Sequence, residues 1–132
     1  MNISLGRIVV LVHDYDEAFD FYHRNLGAFK LFDSATEDGQ RYLHIGFGAK
    51  EVAGIWFLQA SNPESKQLVG KQAGGQPLLV LYTSELNEVY AKLKQNSVHI
   101  VKEPVATPDA KFLHFQDLYG NELVLVELTE QV

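Results

Sequence analysis

Residues 8–27, IVVLVHDYDEAFDFYHRNLG, decide the fold, because residues 79–98, LVLYTSELNEVYAKLKQNSV, run the same course. Each stretch has an apolar run, a polar turn and an amphipathic segment that closes near an Asn. Arg7 and Leu78 open the two copies, an offset of 71 residues. At that offset Val12 meets Thr83, Glu17 meets Glu88, Ala18 meets Val89, Tyr22 meets Leu93 and Asn25 meets Asn96. A repeat of this length implies two similar modules. The expectation is one domain with a shared cavity between its halves.

Working outward, Arg7–Val12 reads as a buried strand of β-branched and Leu residues. Asp14 is placed to cap a helix, with Glu17 three residues on. Tyr15, Ala18, Phe19, Tyr22 and Leu26 fall on one helical face, and Gly27 supplies a left-handed stop. Strands are expected at Phe29–Ser34, Arg41–Gly46 and Gly54–Gln59, the first two around an Asp38-Gly39 turn. This is a strand–helix–strand–strand–strand module over residues 1–60. Residues 61–77, rich in Gly, Pro, Ser, Asn and Gln, read as a surface connector. Module two covers residues 78–132. Its strands are expected at Leu78–Thr83, His99–Lys102, Lys111–Gln116 and Glu122–Leu128. Ser84 is the expected N-cap of its helix, and Asn96 the expected left-handed end.

The composition narrows the function. The chain has 132 residues, 46% hydrophobic and 21% charged, which suits a globular domain with a core. Net charge is −6, and the eleven basic residues are scattered. Nucleic-acid binding needs a basic face, so it is set aside. No apolar run approaches the roughly 20 residues of a membrane span. The N-terminal segment lacks a small-residue cleavage site and reads as a strand, not a signal peptide. Cysteine is absent, which removes thiol chemistry and fits a cytoplasmic protein. There is no Gly-x-Ser-x-Gly elbow and no P-loop.

Two motifs resemble a known family. Val12, Asp14, Ala18, Phe21, Tyr22, Leu26 and Gly27 fit a pattern similar to the opening module of the vicinal oxygen chelate superfamily. That superfamily includes glyoxalase I, bleomycin-resistance proteins, fosfomycin-resistance enzymes and extradiol dioxygenases. Phe115, Asp117, Gly120, Asn121, Leu123, Leu125 and Glu127 resemble its closing hairpin, with Asp-Leu-Tyr-Gly-Asn where many members have Asp-Pro-Asp-Gly-Asn. The resemblance implies an α+β fold. Two βαβββ modules would curl a mixed sheet into a half-barrel, with helices on the convex side. It also implies a homodimer with two clefts.

In the metalloenzymes of that family, His, Glu or Gln ligands come from the first and last strand of each module. Matched by motif spacing, those places are Arg7, Trp56, Leu78 and Val124, none of them a ligand. A shift of one residue either way finds no ligand, and Glu122 and Gln59 lie further off. The expectation is therefore no metal and no cofactor.

The candidate ligand-binding residues are Arg7, Trp56, Tyr42, His44, Phe112 and His114. Arg7 could grip a carboxylate or phosphate bidentately, or make a rim ion pair. Only one of Trp56 and Phe57 can face a cavity, and either can serve the core. His44 and His114 sit at comparable depth in the third strands of the two modules. A register step of one residue decides whether they face a site or a helix. His13 and His23 read as solvated, and Asp20 with His23 as a surface pair.

Two functions follow. One is a metal-free binding protein for a small organic ligand, with Arg7 favouring an anionic one. The other is a metal-dependent lyase, isomerase or dioxygenase with a non-standard site, supported by fold analogy alone.

Overall fold

The computed structural model describes residues 1–48 and 53–129. The expected second module runs to residue 132, and residues 130–132 lie outside those described. The chain divides into two compact units, Met1–Val69 and Gly70–Val132.

The first unit holds β1 (Arg7–Val12), α1 (Tyr15–Leu26), β2 (Phe29–Ala35), β3 (Arg41–Gly46), β4 (Gly54–Gln59) and α2 (Pro63–Leu68). Its sheet has the order β1-β4-β3-β2, with β1 parallel to β4 and the other pairs antiparallel. The second unit repeats this with β5 (Pro77–Tyr82), α3 (Leu86–Gln95), β6 (Ile100–Ala106), β7 (Ala110–Gln116) and β8 (Glu122–Leu128). Its order is β5-β8-β7-β6. The fold class is α+β, with two βαβββ modules and two open mixed sheets.

Alternation along the strands gives each sheet a closed and an open face. In the first sheet Val10, Phe57 and Leu43 share one row. They are fully buried, with Val12, Ile45 and Ile55. The helix α1 lays Tyr15, Ala18 and Tyr22 inward, and the Tyr22 and Phe57 rings meet edge-on at 5.4 Å. The Asp14 carboxylate accepts the Glu17 N–H at 2.9 Å, so the N-cap is the expected one. Gly27, at φ 71°, ends the helix, and the N–H groups of Gly27 and Ala28 close on the carbonyls of His23 and Tyr22. The last buried helical position goes to Asn25 and not to Leu26. The Asn25 amide donates to the Phe21 carbonyl at 2.9 Å, which satisfies it within the helix. In the second sheet Leu79, Leu113, Phe115, Leu123 and Leu125 form the closed face, joined in the core by Leu86 and Leu93 of α3.

Several local expectations change. The connector is not wholly irregular, because α2 forms inside it. Asn62 and Ser65 make a reciprocal capping box there, with Pro63 in the first turn. Ser84 is not the N-cap of α3. Glu85 holds that position without a side-chain bond, and the carboxylate of Glu127 on β8 accepts the Leu86 N–H at 2.8 Å. The left-handed residue after α3 is Ser97, φ 59°, one position past Asn96. The strand β6 runs on through Pro104, which an edge strand with shifts of register accommodates. Asp20 pairs with Arg24 at 3.5 Å, while the His23 ring stacks on Phe19 and its Nδ1 meets the Ala28 carbonyl. Asp33 and Asp16 both hold Arg41, and this hydrogen bonding, aided by Lys30, brings the Asp33 carboxyl down to about 2.

The closing motif is a polar knot. The buried Asp117 carboxylate accepts the N–H groups of Tyr119 at 2.9 Å and Asn121 at 3.0 Å. Its other oxygen takes the Asn121 amide at 2.9 Å. This turn delivers β8 beside β7. We predict that Asp117→Ala destabilises the protein by about 2–4 kcal/mol in urea unfolding, because buried donors lose a charged acceptor. A loss below about 0.5 kcal/mol would remove this turn from the list of structural supports.

Candidate functional site

The open face of the first sheet is aromatic. Val9, Trp56, His44 and Phe32 stand in one row across all four strands. The His44 ring lies 5.5 Å from Trp56 and 5.6 Å from Phe32, and Tyr42 lies 6.0 Å from Trp56. Phe57 points to the helix side, so Trp56 is the one of that pair on the open face. At the sheet edge the Arg7 Nε donates to His44 Nδ1 at 3.1 Å, and its Nη1 donates to the Gly6 carbonyl at 2.8 Å. Arg7, Tyr42, His44 and Trp56 are thus neighbours on one face. Phe32 was not singled out in the sequence. Its side depends on a shift of register between Lys30 and Phe32, which residue types do not signal. Gly54 also belongs to this face. A Cβ there would lie 2.7 Å from Leu31 Cδ1 and 2.3 Å from the Ile45 carbonyl oxygen, so only glycine admits this packing.

The hydrogen bond from Arg7 fixes the His44 tautomer. A guanidinium only donates, so Nδ1 must be the lone-pair nitrogen and Nε2 carries the hydrogen. Burial, and then the Arg7 charge, push the His44 pKa below its ordinary 6.5, which favours this neutral form. The face therefore holds two ring N–H donors, His44 Nε2 and Trp56 Nε1, on rings 5.5 Å apart. Both atoms are buried, and among the described residues neither has a hydrogen-bond partner. Each such group costs about 1–3 kcal/mol until an acceptor meets it. One row further along the same face stand Leu11 and Leu58. They line a cavity of about 320 Å³ with Tyr15, Arg41, Gln59 and Asn62. The cavity thus lies at the ends of the strands, beside the aromatic row and not directly over it.

The open face of the second sheet carries the other two candidates. The Phe112 and His114 rings are 5.9 Å apart. His114 pairs across the strands with Val124, and Val124 with Val80, as His44 pairs with Trp56 and Trp56 with Val9. The two histidines hold matching places in their modules. His114 Nδ1 lies 2.6 Å from the Glu122 carboxylate. The sequence placed Glu122 away from any site. The β7–β8 pairing sets it opposite Gln116, two residues along the strand from His114 and on the same face.

Arg7, Trp56, Leu78 and Val124 offer a guanidinium, an indole and two aliphatic side chains. A guanidinium repels a cation, and aliphatic groups cannot replace its water shell. Among the described residues no three His, Cys, Asp or Glu side chains gather as a ligand set. The residues present do not fit the family's metal.

The Arg7–His44 contact has a pH signature. The charged group acting on His44 is Arg7, and protonation of Nδ1 would break their hydrogen bond. Above pH of about 6.5 the ring is neutral in folded and unfolded chains alike. As pH falls from there to the lowered folded value, the unfolded chain takes up the proton first. Stability contributed by this group is therefore lost on acidification. We predict an NMR titration of the His44 ring midway below 6.5, moved part of the way back in Arg7→Met. A titration above the ordinary value would overturn the tautomer assignment.

The sequence pattern of the Glyoxalase/Bleomycin resistance protein/Dioxygenase superfamily matches residues 4–125. An uncharacterized protein of Shewanella frigidimarina (strain NCIMB 400) is 30% identical over 133 residues, spanning 99% of this chain and 98% of its own. The crystal structure of UcmS2 is similar, with a TM-score of 0.81 and 25% identity over 96% of this chain and 98% of that one. TnmS3, an antibiotic binding protein from Streptomyces sp. CB03234, gives a TM-score of 0.78 and 26% identity over 98% of this chain and 99% of that one. No described helix is long and apolar enough to cross a membrane. The repeated βαβββ module, the two sequence motifs and the match over most of its length place the chain in the Glyoxalase/Bleomycin resistance protein/Dioxygenase superfamily.

Proposed function

We propose that this protein binds a small planar organic ligand, without metal, on the aromatic face of its first sheet. The observation that carries this reading is a pair of N–H donors, His44 Nε2 and Trp56 Nε1, that meet no acceptor among the described residues and are set among aromatic rings. Carbonyl or carboxylate oxygens would satisfy these donors, while the neighbouring aromatic rings give the ligand's ring apolar contact. Arg7 at the edge adds a positive charge, so anionic ligands gain most. The similarity to an antibiotic binding protein supports a binding role. For the alternative of a metal-dependent enzyme, no ligand set gathers among the described residues. Lack of cysteine agrees with action in the cytoplasm.

Trp56 is the only tryptophan, so its emission reports this face directly. Titration with planar naphthalene carboxylates should change that emission equally in protein stripped with EDTA and in untreated protein. Loss of the His44 donor in His44→Phe should weaken binding about tenfold, and Arg7→Ala should weaken carboxylates more than neutral analogues. Binding that requires a divalent ion, with about one ion per chain by elemental analysis, would replace this reading with the enzymatic one.

We also infer a homodimer. The strands β1 and β5 are edges of their sheets, and on β5 Val80 and Tyr82 are 56% and 72% exposed. Open edges with apolar side chains favour association. Light scattering should give twice the chain mass at micromolar concentration, and a monomer there would remove the dimer from this proposal.

A further inference from the structure

The two histidines in matching places are held in opposite states. On the first sheet a donor, Arg7, faces His44 Nδ1. On the second sheet a carboxylate, Glu122, faces His114 Nδ1 at 2.6 Å. A carboxylate only accepts, so the hydrogen of the neutral His114 ring sits on Nδ1 and its lone pair on Nε2. The ring and its carboxylate are half-buried, with side chains 21% and 20% exposed. Among the described residues Nε2 meets no partner.

The surroundings narrow what Nε2 can receive. Phe112 lies beside His114 on the same face, and Val124 and Val126 continue that face along β8. Lys102 pairs with His114 across β6 and β7, and its ammonium lies 5.7 Å from the centre of the Phe112 ring. The charged groups on the flanking strands are thus Glu122, at His114 Nδ1, and Lys102, paired with His114 across β6 and β7 with its ammonium over Phe112. Glu122 stabilises a proton gained by the imidazole. Lys102 stabilises a negative charge left on whatever gave it. A divalent ion fits poorly beside that ammonium.

We propose that His114, Glu122 and Lys102 form a proton-accepting subsite for an acidic aromatic hydroxyl, such as an electron-poor phenol or an enol. The hydroxyl O–H bond breaks and an N–H bond forms at His114 Nε2. The oxygen keeps the electron pair as a phenolate beside the Lys102 ammonium, and the imidazolium stays paired with Glu122. A carboxylic acid has no proton left to give at neutral pH, and an aliphatic alcohol does not release one to an imidazole. An acidified phenol lies between, and its ring matches Phe112 and the valines.

The test uses 4-nitrophenol, whose absorbance separates phenol from phenolate, at a pH where the free probe is mostly protonated. With the wild-type chain the bound probe should show the phenolate band. His114→Gln should lose that band and bind the probe about tenfold more weakly. Lys102→Met should reduce the band. The methyl ether 4-nitroanisole has no proton to give, so any binding of it should be the same in wild type and His114→Gln. Two-bond ¹H–¹⁵N NMR should find the neutral His114 ring protonated on Nδ1 and the His44 ring protonated on Nε2. No phenolate band with the wild-type chain, or a band that survives His114→Gln, overturns the proposal.

Discussion

The contact of Tyr22 with Phe57 decides which side of the first sheet is closed. An edge-on aromatic pair buries a large area, and strands alternate with a period of two. Once Phe57 goes under the helix, Trp56 must go to the other side. The cross-strand pairing then carries His44 and Val9 with it, and strand alternation carries Tyr42. A slip of one residue in β4 would bury the indole and expose Phe57, losing the core and the aromatic face together. The open face is therefore a consequence of how the closed one packs.

The same backbone plan supports two different surfaces. In the first module Gly54 stands opposite Arg7, and Leu31 lies over the glycine. In the second module Glu122 occupies the corresponding start of the last strand, opposite Pro77. Different side chains at two matched places, Arg7 against Leu78 and Gly54 against Glu122, change what the neighbouring histidine can do. Beside Arg7 the ring offers a hydrogen, and beside Glu122 it offers a lone pair. The fold family is fixed by the helices, turns and core, while the chemistry sits in residues the core does not constrain.

The closing motif also has a divided role. Asp117 and Asn121 tie the turn before β8, and Glu127 at its far end caps α3. These residues carry much of the family resemblance, yet their contacts are structural. A resemblance built on them supports the fold more strongly than any activity. The places matched to the family's metal by motif spacing hold Arg7, Trp56, Leu78 and Val124.

The sequence by itself determined the two modules, because helix and strand periods are local properties of residue order. The repeat from Arg7 and Leu78, the Asp14 cap and the Gly27 stop all report on neighbours a few residues away, and the structure has them where they were read. The tertiary structure decided the rest. Which face His44 takes, that Arg7 reaches its Nδ1, and that Glu122 lies against His114 depend on pairing between strands distant in sequence. The exchange of Leu26 for Asn25 in the core, and of Ser84 for Glu127 as a partner of α3, has the same cause. Such contacts are set by register and by bulges, and a shift of one residue that sequence does not mark reverses every side chain on a strand.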